Sequence, residues 1–396
     1  MSRLQTVLGN ITFQSPFILA SAPPTRTGEM IARAFAVGWD AAVTKTICLN
    51  YDRMIDVSPR IVKVNGGLKN IELISPVSPE KWAEDIRFLK KKFPQKTVIA
   101  SISAEADNIA GWQKLTLMMQ EAGTDALELN FSCPHGLPEM GMGNTCSDIP
   151  ELAENITKCV KDVATIPVWA KLSPNVTNIK HLAKLCEKAG ADGISAINTV
   201  KGFAGIDIET GMPKMNVNGS STCGGLSGSI IKPIALKAVA DIALAVNCPI
   251  SGMGGIRNWQ DSLEFVMLGS TTVQICTEVM LNGYGIIHGL KKGMESYLDW
   301  HCIKSLQDVC GKSLKYLKNH SALDNSFKLL PQINTEKCVK CGKCCISCND
   351  AGFQAISMKS GNFPVVDRLK CTGCGLCYAV CPTCGCLELV ENASIS

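Results

Sequence analysis

Between residues 16 and 282 short apolar runs alternate with longer amphipathic stretches. The runs that read as strands are Phe17–Ser21, Ala41–Thr46, Thr97–Ser103, Ala126–Ser132, Val168–Ser173, Gly193–Thr199, Pro249–Gly254 and Thr271–Thr277. Helix-like segments lie between most of them, among them Ile109–Ala122, Glu151–Val163, Asn178–Ala189, Lys232–Val246 and Trp259–Leu268. Three of these end at Ala122-Gly123, Ala189-Gly190 and Leu268-Gly269, the small-residue stop expected at a helix C-terminus. Eight β–α repeats over this length predict an α/β fold, a (β/α)₈ TIM barrel. An open doubly wound sheet is the alternative, but no G-x-G-x-x-G turn follows an early strand.

Beyond the repeats the pattern changes. Residues 283–332 read as helical and then loop-like, with a linker at Asp324–Pro331. The expected organisation is a barrel over 1–305, a helical connection and linker over 306–332, and a small α+β ferredoxin-like domain over 333–396. The last segment contains an internal repeat whose halves start 33 residues apart.

Composition narrows the class. The 396 residues are 46% hydrophobic, ample for one large core and one small one. The net charge is only +4, and no Lys/Arg run suggests nucleic acid or a membrane surface. Ile234–Val246 is interrupted by Lys237 and Asp241, and no apolar stretch reaches membrane-spanning length. Met1 leads directly into Leu4, Val7, Ile11 and Phe13, strand-like rather than a secretory leader. With 21 cysteines and no small disulfide framework, the expected compartment is a reducing cytoplasm.

Eight of those cysteines form two copies of one spacing. The first copy is Cys338, Cys341, Cys344 and Cys348; the second is Cys371, Cys374, Cys377 and Cys381, followed by Pro382. C-x-x-C-x-x-C-x-x-x-C is the ligand run of proteins that hold two [4Fe–4S] clusters, the fourth cysteine crossing to the other cluster. Cys338, Cys341, Cys344 and Cys381 are therefore expected at one cluster, and Cys371, Cys374, Cys377 and Cys348 at the other. Gly342, Gly373 and Gly375 let the chain turn around such a group. Two zinc sites are the alternative, although zinc chemistry does not call for two identical four-cysteine runs. Cys345, Cys384 and Cys386 have no assigned role and default to structural thiols.

A TIM barrel collects chemistry at the C-terminal ends of its strands. The residues expected there are Thr44-Lys45-Thr46, Asn130 through Gly136, Lys171, Asn198-Thr199, Gly252-Met253-Gly254-Gly255 and Ile275-Cys276-Thr277. A further glycine loop, Cys223 to Gly228, precedes the seventh helix. Two glycine loops with the Thr277 hydroxyl match a phosphate cradle, where backbone N–H groups approach the anion; ordinary turns are the competing reading. Beside iron–sulfur clusters the economical cofactor is FMN, which links two-electron to one-electron chemistry. Lys45 and Lys171 suit a reduced, anionic flavin ring, and either alone would also suit a carboxylate partner. Asn70, Asn130 and Asn198 offer the paired donor and acceptor that a pyrimidine edge needs. Cys133 lies in a Ser-Cys-Pro-His-Gly loop, where a thiol with an unperturbed pKa of about 8.5 can pass a proton to or from carbon. Gly136, Gly141 and Gly143 make that loop a candidate lid, and His135 is a candidate to orient it.

These residues together resemble the dihydroorotate/dihydropyrimidine dehydrogenase flavoprotein family, and the dihydropyrimidine dehydrogenase branch more closely. The resemblance rests on Asn70-Ile-Glu-Leu-Ile-Ser75, Leu127-Glu-Leu-Asn-Phe-Ser-Cys-Pro-His-Gly136, Ala170-Lys-Leu-Ser-Pro-Asn-Val-Thr177, Cys348-Asn-Asp350 and Cys371-Thr-Gly-Cys374. It implies FMN in the barrel and Cys133 as the proton donor and acceptor. It implies that Asn70, Asn130, Ser132, Asn198 and Thr199 hold the pyrimidine. Lys45, Thr46 and Lys171 would contact the flavin. Gly228, Met253, Gly254, Gly255, Cys276 and Thr277 would surround its phosphate and ring, with Ala20 and Ser21 beneath. The long animal members carry FAD, NADPH and further cluster domains ahead of this region, which the present sequence lacks. It resembles instead the catalytic subunits of bacterial two-component NAD-dependent enzymes, whose partner is a separate FAD/NAD-binding flavoprotein; a ferredoxin donor is the alternative. The family suggests dimeric barrels and a hetero-oligomer.

The expected reaction is reversible reduction of uracil or thymine to the 5,6-dihydropyrimidine. Hydride passes from FMN to carbon 6, Cys133 protonates carbon 5, and electrons arrive through both clusters. Dihydroorotate dehydrogenase is the runner-up; Glu72 would repel the orotate carboxylate if it faces the site. A non-catalytic electron-transfer adaptor is the third reading.

Overall fold

All eight apolar runs become staves of a closed parallel barrel. In the computed structural model, which describes residues 3–134, 136–351, 353–359 and 361–391, the staves are β1 (Phe17–Leu19), β2 (Ala41–Val43), β3 (Thr97–Ile102) and β4 (Ala126–Asn130). They continue with β5 (Val168–Leu172), β6 (Gly193–Ala196), β7 (Ile250–Met253) and β8 (Ser270–Ile275). Neighbours in sequence are neighbours in space, and β8 returns to β1 to close the ring. The strands are buried on both faces, which is why they read as continuous apolar runs rather than alternating ones. His135 lies outside the described residues.

Eight helices return the chain: α1 (Gly28–Val37), α2 (Pro79–Lys92), α3 (Ile109–Glu121), α4 (Pro150–Lys161), α5 (Ile179–Lys188), α6 (Lys232–Ala243), α7 (Trp259–Met267) and α8 (Ile286–Trp300). Their starts are written locally. Thr27, Ser78, Asn108, Asn178 and Asn258 each accept a hydrogen bond from a first-turn N–H. Gly123, Gly190 and Gly269 follow their helices at φ of +90°, +97° and +100°, a conformation that side chains with a Cβ resist. The main core lies between helices and staves. A hairpin of Thr6–Leu8 and Ile11–Phe13 contributes Leu8 and Phe13 to a second core, with Trp169 of β5 and residues of β1 to β4.

One element departs from the sequence reading. Cys223 to Gly228, expected as a glycine loop, contains the strand Gly224–Ser227. It pairs antiparallel with Val200–Gly202 and with Gly67–Asn70, which in turn pairs with Ile61–Val64. The glycines permit close packing: a Cβ on Gly225 would stand 2.1 Å from Thr199 Oγ1. A strand built from absent side chains carries no apolar run to announce it. Only Gly228, at φ +90°, makes the expected turn.

After α8 the chain makes short 3-10 turns at Leu306–Val309, Leu314–Tyr316 and His320–Ala322. The division into two compact units falls between Tyr316 and Leu317. In the second unit the strand Leu329–Ile333 begins inside the expected linker and pairs antiparallel with Leu387–Glu391. Ile356–Ser357 pairs with Val365–Val366. The short helices Lys343–Asp350 and Leu376–Ala379 start after left-handed Gly342 and Gly375, at equivalent points of the repeat. Among the described residues no helix is long and apolar enough to cross a membrane.

Gly293 of α8 lies against Trp259 of α7, where a Cβ would come within 2.0 Å of the indole Cδ1. Gly293→Ala is expected to destabilise the barrel by about 1–3 kcal/mol through overpacking. Urea unfolding followed by tryptophan fluorescence reads this as a lower midpoint; an unchanged midpoint would contradict the close helix approach.

Candidate active site

A cavity of about 400 Å³ opens at the C-terminal ends of the staves. Ala20 and Ser21 follow β1, Lys45 and Thr46 follow β2, and Asn130 ends β4. Lys171 lies within β5, Asn198 and Thr199 follow β6, Met253, Gly254 and Gly255 come from the end of β7, and Cys276 and Thr277 from the end of β8. Asn70, Cys133 and Gly228 complete the set of expected residues in the wall. Asn70 comes from the extra sheet, where its side-chain amide donates to the Gly225 carbonyl at 3.2 Å. Ser132 alone among the expected pocket residues is not in the wall. It is wholly buried, accepts from Asn198 Nδ2 at 2.9 Å and donates to Asn130 Oδ1 at 3.1 Å. Its hydroxyl therefore holds two asparagines in register.

Hydroxyls tie the floor together. Thr46 Oγ1 accepts from Asn130 Nδ2 at 3.0 Å and lies 2.9 Å from Ser101 Oγ and 3.3 Å from Ser21 Oγ. Ser21 and Thr46, expected at the flavin, thus share one hydrogen-bonded platform with Asn130, expected at the pyrimidine. The Cys133 loop sits on a small apolar cluster of its own, formed with Cys48, Met54, Ile74, Leu137 and Met142. Gly143, at φ +58°, turns the loop back so that Asn144 N donates to Cys133 O at 3.0 Å.

Both lysines have carboxylate partners. Lys171 Nζ lies 3.1 Å from Glu128 Oε1 inside the barrel, and Gln274 Nε2 donates to Glu128 Oε2 at 2.8 Å. Lys45 Nζ lies 3.3 Å from Glu72 Oε1, which also faces Arg26 at 3.5 Å. Glu72 is in the cavity wall, as the argument about orotate required. Burial pushes the Cys276 thiol up to about 11, against the pull of Lys171 and Lys45, so it enters the wall uncharged. Burial likewise raises Cys48, Cys146 and Cys186 to about 12, consistent with packing roles.

At the far side of the wall Gly228, Gly254 and Gly255 have φ of +90°, +128° and +83°. A Cβ on Gly255 would meet Gly228 O at 2.8 Å, and one on Gly254 would meet Ala235 Cβ at 2.6 Å. Thr277 Oγ1 bonds Ser227 Oγ at 2.9 Å beside them. Backbone this bare, with a hydroxyl pair at its edge, fits a phosphate group. Gln274 and Ser227 are wall residues that the sequence reading gave no role of their own. Gln274 was readable only as a polar residue inside an apolar run.

The cysteines of the second unit lie close to one another in part. Cys338, Cys341, Cys344 and Cys381 line one small cavity of about 20 Å³, together with Cys386. Cys348 packs with Cys371. Burial, and next the thiols of Cys371, Cys374 and Cys348, push the Cys377 thiol up. Cys386 is raised to about 11 by burial and by its neighbours Cys381 and Cys338. Cys345 is buried beside Cys344.

Residues 3–298 match the family profile described as dihydroorotate dehydrogenase. The chain belongs to the dihydroorotate dehydrogenase family. It is an oxidoreductase of that family with an iron–sulfur module, since residues 331–389 match a 4Fe-4S dicluster domain. The chain is similar to the NAD-dependent dihydropyrimidine dehydrogenase subunit PreA of Escherichia coli, 39% identical over 96% of this chain and 94% of that one. The chloroplastic dihydropyrimidine dehydrogenase (NADP(+)) of Arabidopsis thaliana is 37% identical over 81% of this chain and 79% of its own. The catalytic subunit of dihydroorotate dehydrogenase B (NAD(+)) from Pyrococcus abyssi is 38% identical over 79% of this chain and 99% of its own.

The buried Lys171 yields a test. Lys171→Met would leave Glu128 charged and without its cation, at a cost of about 3–5 kcal/mol. Adding Glu128→Gln should restore most of that stability in urea unfolding. Additive losses would show that the two side chains are not coupled.

Proposed function

We propose that this chain is the catalytic subunit of a two-component dihydropyrimidine dehydrogenase. It reduces uracil or thymine reversibly to the 5,6-dihydropyrimidine, with FMN in the barrel and two [4Fe–4S] clusters in the second unit. The observation that carries the reading is one wall holding Asn70, Asn130, Asn198 and Cys133 together with a bare glycine cradle, in a chain that matches PreA over both units. By contrast, the Pyrococcus subunit is matched over nearly its whole length by 79% of this chain.

FMN, when bound, supplies two-electron chemistry at the substrate and exchanges single electrons with the clusters. The chain's own residues do the rest. Gly228, Gly254, Gly255 and Thr277 would take the phosphate on backbone N–H groups and a hydroxyl. Lys45 and Lys171 bring positive charge to the ring's side of the cavity, and Cys276 adds a neutral wall. Asn70, Asn130 and Asn198 would meet the alternating N–H and C=O groups of the pyrimidine, while Ser132 keeps two of those amides oriented. Cys133 delivers a proton to carbon 5 and removes it in the reverse direction. Two identical four-cysteine runs, in a segment that matches a 4Fe-4S dicluster domain, suit clusters better than zinc. The electron donor is a separate FAD/NAD-binding flavoprotein subunit.

Glu72 favours a pyrimidine without a carboxylate over orotate. Its charge is held by Lys45 and Arg26, and an added carboxylate would compete for the same cations. With a dye as electron carrier, turnover is expected with uracil and not with orotate; the opposite preference would select dihydroorotate chemistry. Dihydrouracil should bleach a flavin band in the anaerobic protein; iron–sulfur colour without a flavin band or any response to pyrimidine would leave only the adaptor reading, and colourless protein would remove that reading too. Cys133→Ala should lower turnover by about 10²–10⁴-fold, the usual worth of a general acid, with flavin and iron content unchanged. Wild-type turnover in that variant would remove Cys133 from the chemistry.

A further inference from the structure

Lys69 is a buried amine that the site described above does not use. It is wholly buried, one residue before Asn70 in the strand Gly67–Asn70, and successive side chains of a strand point to opposite faces. Asn70 is in the cavity wall and Lys69 is not, so Lys69 lies on the back of the sheet. Its Nζ donates to Thr222 O at 2.6 Å and to Met215 Sδ at 3.2 Å, and it stands 5.6 Å from the centre of the Phe203 ring. None of these partners is a carboxylate. Burial pushes its pKa down, and the Cys223 thiol pulls it the other way. A buried cation without a counter-charge is costly to keep, and an apolar residue of the same length would fill the space at less cost.

The three partners lie in one excursion of the chain. It leaves the barrel at Asn198 and Thr199, runs through the strand Val200–Gly202 and returns in the strand Gly224–Ser227. The two glycines that open the returning strand serve different neighbours. A Cβ on Gly224 would come within 2.7 Å of Lys69 Cε, so the lysine stem passes close over this glycine. Gly225 meets the cavity residues: its carbonyl accepts from the Asn70 amide at 3.2 Å, and a Cβ there would stand 2.1 Å from Thr199 Oγ1. One strand thus carries Lys69 behind it and two residues expected at the pyrimidine in front. We propose that Lys69 is a positioning residue of the pyrimidine site, latching the 203–222 segment to the back of the sheet and so holding Asn70 and Thr199 at the spacing the ring needs. This rests on the pyrimidine site proposed above. Lys69 acts through those two residues, on binding of the ring rather than on the proton or hydride step.

The test compares Lys69→Met with wild type in the full chain, since methionine keeps an unbranched apolar stem and removes the donor. Trypsin should cut faster after Lys214, which is exposed within the segment, and no faster elsewhere in the barrel, as the freed Thr222 carbonyl turns to water. With a dye as electron carrier, the KM for uracil is expected to rise about tenfold, with kcat nearly unchanged and flavin content equal to wild type. Met215→Leu removes only the weaker sulfur acceptor and should keep cleavage and KM near wild type. Wild-type cleavage in Lys69→Met overturns the latch, and a wild-type KM overturns the positioning role. A fall in kcat at unchanged KM overturns it as well. Loss of flavin, or faster cleavage throughout the barrel, also overturns it, in favour of a general folding role. Equal effects in Met215→Leu would assign the contact to apolar packing and overturn the role of the amine. A wild-type chain that turns over no pyrimidine would instead overturn the site beneath the proposal, and the cleavage rates would still judge the latch.

Discussion

The barrel is organised around a carboxylate that water cannot reach. Glu128 is fully buried among the staves, and stripping such a group of water costs several kcal/mol unless partners replace it. Lys171 from β5 and Gln274 from β8 do so, at 3.1 Å and 2.8 Å. Gln274 also donates to Ser195 of β6 and Ser251 of β7, which accepts from Thr272. One chain of polar groups thus spans β4 to β8 through the barrel interior. It fixes two residues of the cavity wall, Lys171 and Gln274, from behind. A buried cation in the cavity wall is held in place by the charge and hydrogen-bond partners around it, which act strongly in a low-dielectric interior.

The mouth obeys a different rule. Its parts come from loops and from an antiparallel sheet inserted between staves, so each is held by specific short bonds rather than by bulk packing. Ser132 illustrates the economy: outside the wall, it aligns Asn130 and Asn198. The Cys133 loop rests on its own apolar cluster, separate from the main core, so local rearrangement there need not disturb the barrel. The glycine-rich part of the wall relies on the absence of side chains, and Gly228, Gly254 and Gly255 resist substitution on both steric and conformational grounds.

The second unit reaches the same end with less. Few of its residues are buried, and cysteines contribute a large share of its two small apolar clusters. A fold of this size gains stability from what it binds. The left-handed Gly342 and Gly375 start matching helices in the two halves. The pairing of Leu329–Ile333 with Leu387–Glu391 joins the two ends of the module.

The order of the barrel strands was readable from local pattern, because parallel staves buried on both faces must be apolar throughout and must be separated by helices. The iron–sulfur module was readable because iron–sulfur coordination dictates cysteine spacing along the chain. Tertiary structure alone decided that Gly224–Ser227 is a strand, since its stability comes from partners distant in sequence. It decided that Ser132 supports the wall instead of lining it. It paired Lys45 with Glu72 and Lys171 with Glu128, and it brought Cys386 to the small cavity lined by Cys338, Cys341, Cys344 and Cys381 while leaving Cys384 outside. Periodicity and spacing are properties of neighbours along the chain; burial and charge pairing belong to neighbours across it, which no local pattern records.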